Sequence, residues 1–114
     1  MMEPGEIYWV DLEPGRRPAI IVSREMLNRG GYVVAVLCTS AQYETRRSLA
    51  NCVAFAAGEF GFFQNCVAQY EAITFVELND VDLSEEKIGI LDGEKFREII
   101  KAIGFVIGSD CEPE

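Results

Sequence analysis

Apolar runs separated by short turn sequences predict three β-strands in the first 38 residues. Residues 7–12 are rich in β-favouring side chains and precede the turn sequence Glu13-Pro14-Gly15. Residues 19–22 form the second run, directly after Pro18, and proline is tolerated at the first position of a strand. Residues 32–38 are almost wholly apolar, which predicts a central strand buried on both faces.

The middle of the chain continues this pattern with shorter strands. Residues 40–51 are polar and predict a loop or a short helix. Three further strands are predicted at residues 52–56, 66–69 and 73–78.

The last element has a different period. Apolar side chains recur at positions i, i+3, i+4 and i+7, namely Phe96, Ile99, Ile100 and Ile103. This spacing predicts an amphipathic helix with Asp92 as its N-cap and Gly104 or Gly108 as its end. We therefore expect one mainly β domain over residues 1–108, a strongly curved sheet or small barrel covered by a C-terminal helix, and a disordered acidic tail over residues 109–114.

Charge is unevenly distributed along the 114 residues. The formal net charge is −9, yet the first 47 residues hold six arginines and six acidic residues. From Ser48 onward the chain contains four basic and thirteen acidic residues. Because the second half repels polyanions, a nucleic-acid site is expected to use the N-terminal arginines.

The four cysteines and the absence of histidine limit metal chemistry. Cys38, Cys52, Cys66 and Cys111 show no Cys-x-x-Cys spacing, and without histidine the usual zinc ligand sets are missing, so we expect no metal and no cofactor. Apolar neighbours favour buried, reduced thiols, as in a cytoplasmic protein. Residues 1–6 lack the features of a signal peptide and no apolar run spans a bilayer, so no membrane association is expected.

One pair of polar residues is a candidate for phosphate chemistry. Arg17 precedes the second strand and Thr39 ends the third, so antiparallel pairing of these strands brings the two residues to one surface. A guanidinium binds phosphate in bidentate fashion, and a hydroxyl adds a hydrogen bond. The alternative is a solvated arginine after a turn and a threonine that satisfies backbone groups.

Aromatic residues offer two further candidates. Tyr43 with Arg46 and Arg47 suits single-stranded RNA, because arginines bind phosphates and tyrosine stacks on unpaired bases, although a solvated loop explains them too. Phe60, Phe62 and Phe63 suit a stacking platform, but apolar flanks favour the core or a dimer interface.

Three motifs in order resemble the PemK/MazF toxin family: GEIYWVDL at residues 5–12, RPAIIVS at 17–23 and LCTS at 37–40. Residues 67–69 with Ile73, and residues 87–91 before the helix, resemble later parts of the same family. The resemblance covers nearly the whole chain.

This resemblance implies an SH3-like barrel that forms a homodimer, pairs with a cognate antitoxin protein and cleaves single-stranded RNA without a metal. Carried over by position, Arg17 is the catalytic arginine and Thr39 its hydroxyl partner. Arg16, Ser40 and Gln69 join the RNA-binding set that already includes Tyr43, Arg46 and Arg47. A short loop before Arg16 and an acidic Glu71 favour the alternative, a barrel that binds RNA or protein without cleavage.

Overall fold

The computed structural model describes residues 2–12, 15–84 and 86–108, and for Tyr70 and Glu71 only the backbone. Six antiparallel strands form one curled sheet in the order β4-β5-β3-β2-β1-β6. The strands are β1 (Glu6–Leu12), β2 (Gly15–Ile21), β3 (Tyr32–Thr39), β4 (Cys52–Phe55), β5 (Cys66–Glu77) and β6 (Gly89–Ile90). The helices are α1 (Glu25–Asn28), α2 (Tyr43–Arg46) and α3 (Gly93–Val106). The predicted fold class, a small SH3-like barrel with a C-terminal helix, is confirmed.

The central strands bury both of their faces. Ile7, Ile20 and Val36 face one another across β1, β2 and β3 and are fully buried in the core beneath α3. The alternate positions of the same strands, such as Ile21 and Ala35, pack into a second apolar cluster on the opposite face. The prediction of a central apolar β3 is thus confirmed, since β3 pairs with both β2 and β5.

Two strand boundaries were predicted wrongly. β2 begins at Gly15, so Pro18 lies inside the strand rather than at its first position. The two strands expected at residues 66–69 and 73–78 are one continuous strand, β5. The register of β5 against β3 shifts between Val36 and Cys38. A bulge absorbs the additional residues and bends the strand, so the polar interruption does not end it.

A glycine contact closes the barrel between β6 and the 3₁₀ turn Glu59–Gly61. A Cβ atom on Gly89 would lie 1.8 Å from the carbonyl oxygen of Phe60, and one on Gly61 would lie 2.1 Å from that of Ile88. Only glycine permits two backbones to approach this closely. β6 itself was not predicted, because two residues are too few to show a period.

The C-terminal helix follows the prediction at its start, and of its two predicted ends the one at Gly108 is confirmed. The Asp92 carboxylate accepts a hydrogen bond from the backbone N–H of Lys95 at 2.8 Å, which confirms the N-cap. Ile99 is fully buried in the barrel core. The helix continues through Gly104 to Val106, and Gly108 with φ +72° follows its end.

The remaining predictions concern cysteines, the tail and membranes. Cys38, Cys52 and Cys66 are buried free thiols, as predicted. The tail at residues 109–114, which includes Cys111, and the turn residues 13–14 lie outside the described part of the chain. No helix within the described ranges is long and apolar enough to cross a membrane.

Candidate functional site

A cavity of about 360 Å³ lies where β2 and β3 separate, and we call it the β2–β3 pocket. Four residues singled out in the sequence line it: Arg16, Arg17, Thr39 and Ser40. Six others complete the lining: Trp9, Pro18, Cys38, Phe63, Gln64 and Cys66.

Pro18 explains why the two strands separate at this point. The carbonyl oxygens of Ile7 and Trp9 accept hydrogen bonds from the far side of β1, so Trp9 turns its polar groups away from β2. By the alternation of an antiparallel ladder, its partner Pro18 turns its backbone toward β3. Proline has no N–H to donate, and the β2–β3 ladder accordingly ends at Ala19 and Leu37.

Arg17 and Thr39 lie two positions beyond the end of this ladder. Continuing the β2–β3 register places Arg17 opposite Thr39, and both side chains line the pocket. Arg17 is half-buried, and its side chain makes no hydrogen bond or ion pair within the described residues. The Thr39 hydroxyl accepts a hydrogen bond from the backbone N–H of Ala41 at 3.1 Å, so its own proton is available to a ligand.

Arg16 is held differently from its neighbour. One of its terminal nitrogens lies 3.0 Å from the Asp82 carboxylate, and its guanidinium lies 4.9 Å from the centroid of the Trp9 ring. These contacts fix both the arginine and the indole. Because Asp82 offsets the charge of Arg16, Arg17 supplies the uncompensated positive charge of the pocket.

Two aromatic side chains, those of Trp9 and Phe63, line the same pocket. The rings of Trp9 and Phe63 lie 6.4 Å apart between centroids and are inclined by only 20°. Phe63 is 80% exposed, whereas Phe62 is buried and contacts Phe55. Phe60 also packs against Phe55, so Phe60 and Phe62 belong to the core, as expected. Phe63 does not belong to the core, and for it the alternative of a dimer interface stays a prediction.

Two thiols form the buried side of the pocket. Cys38 donates a hydrogen bond to Cys66, and this contact together with burial raises the pKa of Cys38 well above its usual range. The same hydrogen bond lowers the pKa of Cys66. Cys66 is therefore the more readily ionised thiol of the pair.

The other residues predicted to bind RNA do not line this pocket. Tyr43 and Arg47 form a separate cluster at α2, where the guanidinium lies 5.7 Å from the tyrosine ring centroid and 3.4 Å from a Glu44 oxygen. Arg46 ends the same helix. Gln69 is half-buried and pairs with Cys52 in the β4–β5 ladder. Their role in RNA binding stays a prediction.

Sequence reasoning did not assign Trp9, Cys38, Phe63, Gln64 or Cys66 to a site. The register between β1 and β2 sets Trp9 opposite Pro18, and hence beside the Arg-Pro pair. Phe63 is distinguished from Phe60 and Phe62 only by backbone geometry, since Phe60 and Gly61 both adopt positive φ.

Comparison with known proteins places this arrangement in context. A model of the family described as PemK-like, MazF-like toxin of type II toxin-antitoxin system matches residues 3–107. An endoribonuclease solved in complex with its cognate antitoxin, from a mycobacterial species, is similar with a TM-score of 0.78 and 24% identity, covering 99% of this chain and 100% of that one. No curated protein sequence matches the chain significantly.

Two further structures have similar folds. The Mycobacterium tuberculosis toxin MazF-mt6 has a TM-score of 0.74 and 24% identity over 90% of this chain and 96% of that one. A MazE-MazF structure from Deinococcus radiodurans has a TM-score of 0.73 and 18% identity over 94% and 95%. The fold is thus that of a small toxin-type β-barrel, and its pocket holds Arg17 where β2 and β3 separate. The chain belongs to the PemK-like, MazF-like toxins of type II toxin-antitoxin systems.

Proposed function

We propose that this chain is a toxin that cleaves single-stranded RNA without a metal and is neutralised by a cognate antitoxin protein. The observation that carries the proposal is Arg17, a half-buried guanidinium without a described partner, in the same pocket as the Thr39 hydroxyl. Family membership and the endoribonuclease among the similar structures support the same activity.

The proposed chemistry uses the RNA's own 2′-hydroxyl as nucleophile. The 2′-hydroxyl loses its proton to solvent as its oxygen forms a bond to phosphorus. The bond from phosphorus to the 5′-oxygen breaks, and the leaving oxygen takes up a proton from solvent. The products are a 2′,3′-cyclic phosphate and a 5′-hydroxyl. The guanidinium of Arg17 stabilises the charge that develops on the phosphate oxygens, and the Thr39 hydroxyl donates a further hydrogen bond to them.

Incubation of the purified protein with a long unstructured RNA in chelator, followed by end-group analysis, tests this proposal. Arg17→Ala should abolish most cleavage, and Arg17→Lys should restore little, because an ammonium cannot hold two phosphate oxygens in bidentate fashion. Arg29→Ala is the matched control, since Arg29 is exposed on the surface and paired with Glu25. Cleavage by Arg17→Ala at the wild-type rate, or cleavage beside a deoxyribose, would refute the assignment.

We also propose that the protein acts as a homodimer. Several large apolar side chains near the end of α3 are exposed in the single chain, including Ile100, Phe105 and Ile107. Exposed apolar surface of this kind favours self-association. Light scattering should give twice the monomer mass, and a monomer mass at every concentration would contradict the proposal.

A further inference from the structure

Phe63 is largely exposed, and its backbone lies in a hydrogen-bonded segment. Its ring is 80% exposed, although burying a phenyl ring contributes about 1.5–3 kcal/mol of stability. The segment around it is nevertheless tightly held: the N–H of Gly58 donates to the carbonyl of Phe62 at 2.8 Å, and the N–H of Ala57 donates to the Asn65 side chain at 2.7 Å. The backbone of Phe63 is therefore held in place, and its exposed ring does not lie on a loose loop.

Trp9 is equally well fixed beside it. The ion pair between Arg16 and Asp82 holds the guanidinium against the indole, and the indole plane is inclined by 20° to that of Phe63. Two nearly parallel rings form a surface that suits a flat, aromatic ligand. Because the positions of the rings are set before binding, little conformational entropy is lost when the ligand binds.

The rest of the pocket defines which flat ligand fits. Arg17 provides a cationic group for phosphate, and the side chains of Ser40 and Gln64 offer hydrogen bonds to a polar edge. A volume of about 360 Å³ suits one nucleoside but not a duplex. Bases in a duplex are also stacked on each other, so only an unpaired base presents its face to a protein ring.

We propose that Phe63 and Trp9 form a stacking subsite for one unpaired nucleobase, next to the phosphate that Arg17 binds. This inference rests on the proposed function and deepens it. The subsite selects single-stranded RNA by requiring a base that has left its helical stack, and it positions the neighbouring phosphate at Arg17 and Thr39.

The chain offers a direct probe of this subsite, because Trp9 is its single tryptophan. A non-cleavable oligonucleotide of 2′-deoxy nucleotides should quench the tryptophan fluorescence on binding. Phe63→Ala and Phe63→Leu should each weaken its binding by roughly 5- to 150-fold, the range of one base–aromatic stack, and Phe63→Tyr should restore it. Phe75→Ala is the matched control, since Phe75 is 76% exposed but lies outside the pocket.

Abasic substitutions identify the contact as stacking. Replacing bases one at a time with abasic sugars should weaken binding to the wild type at one position flanking the cleaved bond. At that position Phe63→Ala should add no further loss, because the stack is already absent. The salt dependence of binding should keep its slope in Phe63→Ala, since the number of phosphate contacts is unchanged.

The outcomes separate this inference from the proposed function. Three results would together establish the subsite. The oligonucleotide quenches the fluorescence of Trp9, Phe63→Ala lowers the affinity, and the loss from Phe63→Ala does not add to the loss from one abasic position. Arg17-dependent cleavage with no effect of Phe63→Ala, or an equal effect of Phe75→Ala, would overturn the subsite alone. A wild-type protein that neither binds nor cleaves single-stranded RNA would overturn both.

Discussion

The carboxylate of Glu6 lies 2.6 Å from the ammonium group of Lys87, although only 6% of the Glu6 side chain is exposed. The same carboxylate accepts hydrogen bonds from the backbone N–H of Glu3 at 2.7 Å and from the Tyr8 hydroxyl at 3.2 Å. Lys87 directly precedes the segment that pairs with β1. The ion pair thus joins the first strand to the last.

Acid should weaken the protein through Glu6. Burial opposes ionisation of this carboxyl group, but the hydrogen bonds from Lys87, Glu3 and Tyr8 outweigh burial and lower its pKa from the usual 4.5. A lowered pKa in the folded state contributes stability that is complete above pH 4.5 and is lost as the pH falls through the folded pKa. Glu6→Gln should therefore lower the free energy of unfolding at pH 7 by about 1–3 kcal/mol and flatten its dependence on acid pH.

Urea unfolding of Glu6→Gln from pH 7 to pH 3 checks this expectation. Glu77→Gln provides the control, because Glu77 is exposed at the end of β5. Parallel pH profiles for the wild type and Glu6→Gln would contradict the assignment.

Gly89→Ala should destabilise the barrel. The new methyl group would lie 1.8 Å from the Phe60 carbonyl oxygen, and backbone on both sides of the contact must move to accept it. We expect a loss of about 3 kcal/mol. Gly15→Ala should change stability little, because its methyl group meets no atom within 4 Å. Equal melting temperatures for the two variants would show that the contact is not tight.

Thr39→Val should lower the cleavage rate on the order of 10²-fold, the typical effect of removing one hydrogen-bond donor from a transition-state site. Thr39→Ser should retain most activity, since its hydroxyl can still accept from Ala41 and donate to phosphate. Thr74→Val, an exposed strand position away from the pocket, should cleave as the wild type does. Single-turnover kinetics at saturating protein concentration measure the cleavage rate of each variant. Equal rates for Thr39→Val and Thr39→Ser would exclude the Thr39 hydroxyl as a hydrogen-bond donor in the reaction.

Cys66 should be the first of the three buried cysteines to react with iodoacetamide. The hydrogen bond from Cys38 lowers its pKa, and it lines the pocket, whereas Cys52 does not. Peptide mapping in a Cys111→Ser background, which removes the cysteine of the tail, follows the order of labelling. Bound non-cleavable oligonucleotide should slow the reaction. Labelling of Cys52 before Cys66 would contradict this order.

The sequence pattern predicted the strands, the helix and the approach of Arg17 to Thr39, because periodicity and strand order determine them. It did not predict that β5 is continuous. The polar residues within β5 indicated a break in the sequence, but a bulge accommodates them without ending the strand. It also named Phe63 without distinguishing it from Phe60 and Phe62. Three phenylalanines in four residues look alike in sequence, and only the positive φ values at Phe60 and Gly61 turn one of them outward.

The pocket draws on distant parts of the chain, and this affects when it forms during synthesis. Arg17 and Trp9 belong to the N-terminal hairpin, Phe63 and Cys66 follow β4, and Ile99 of α3 completes the core. Contacts between distant segments form late in folding. At about 5–20 residues per second, the hairpin is made several seconds before its pocket partners. A growing chain therefore carries Arg17 before the rest of the pocket exists, and the pocket can form only after most of the chain has been made.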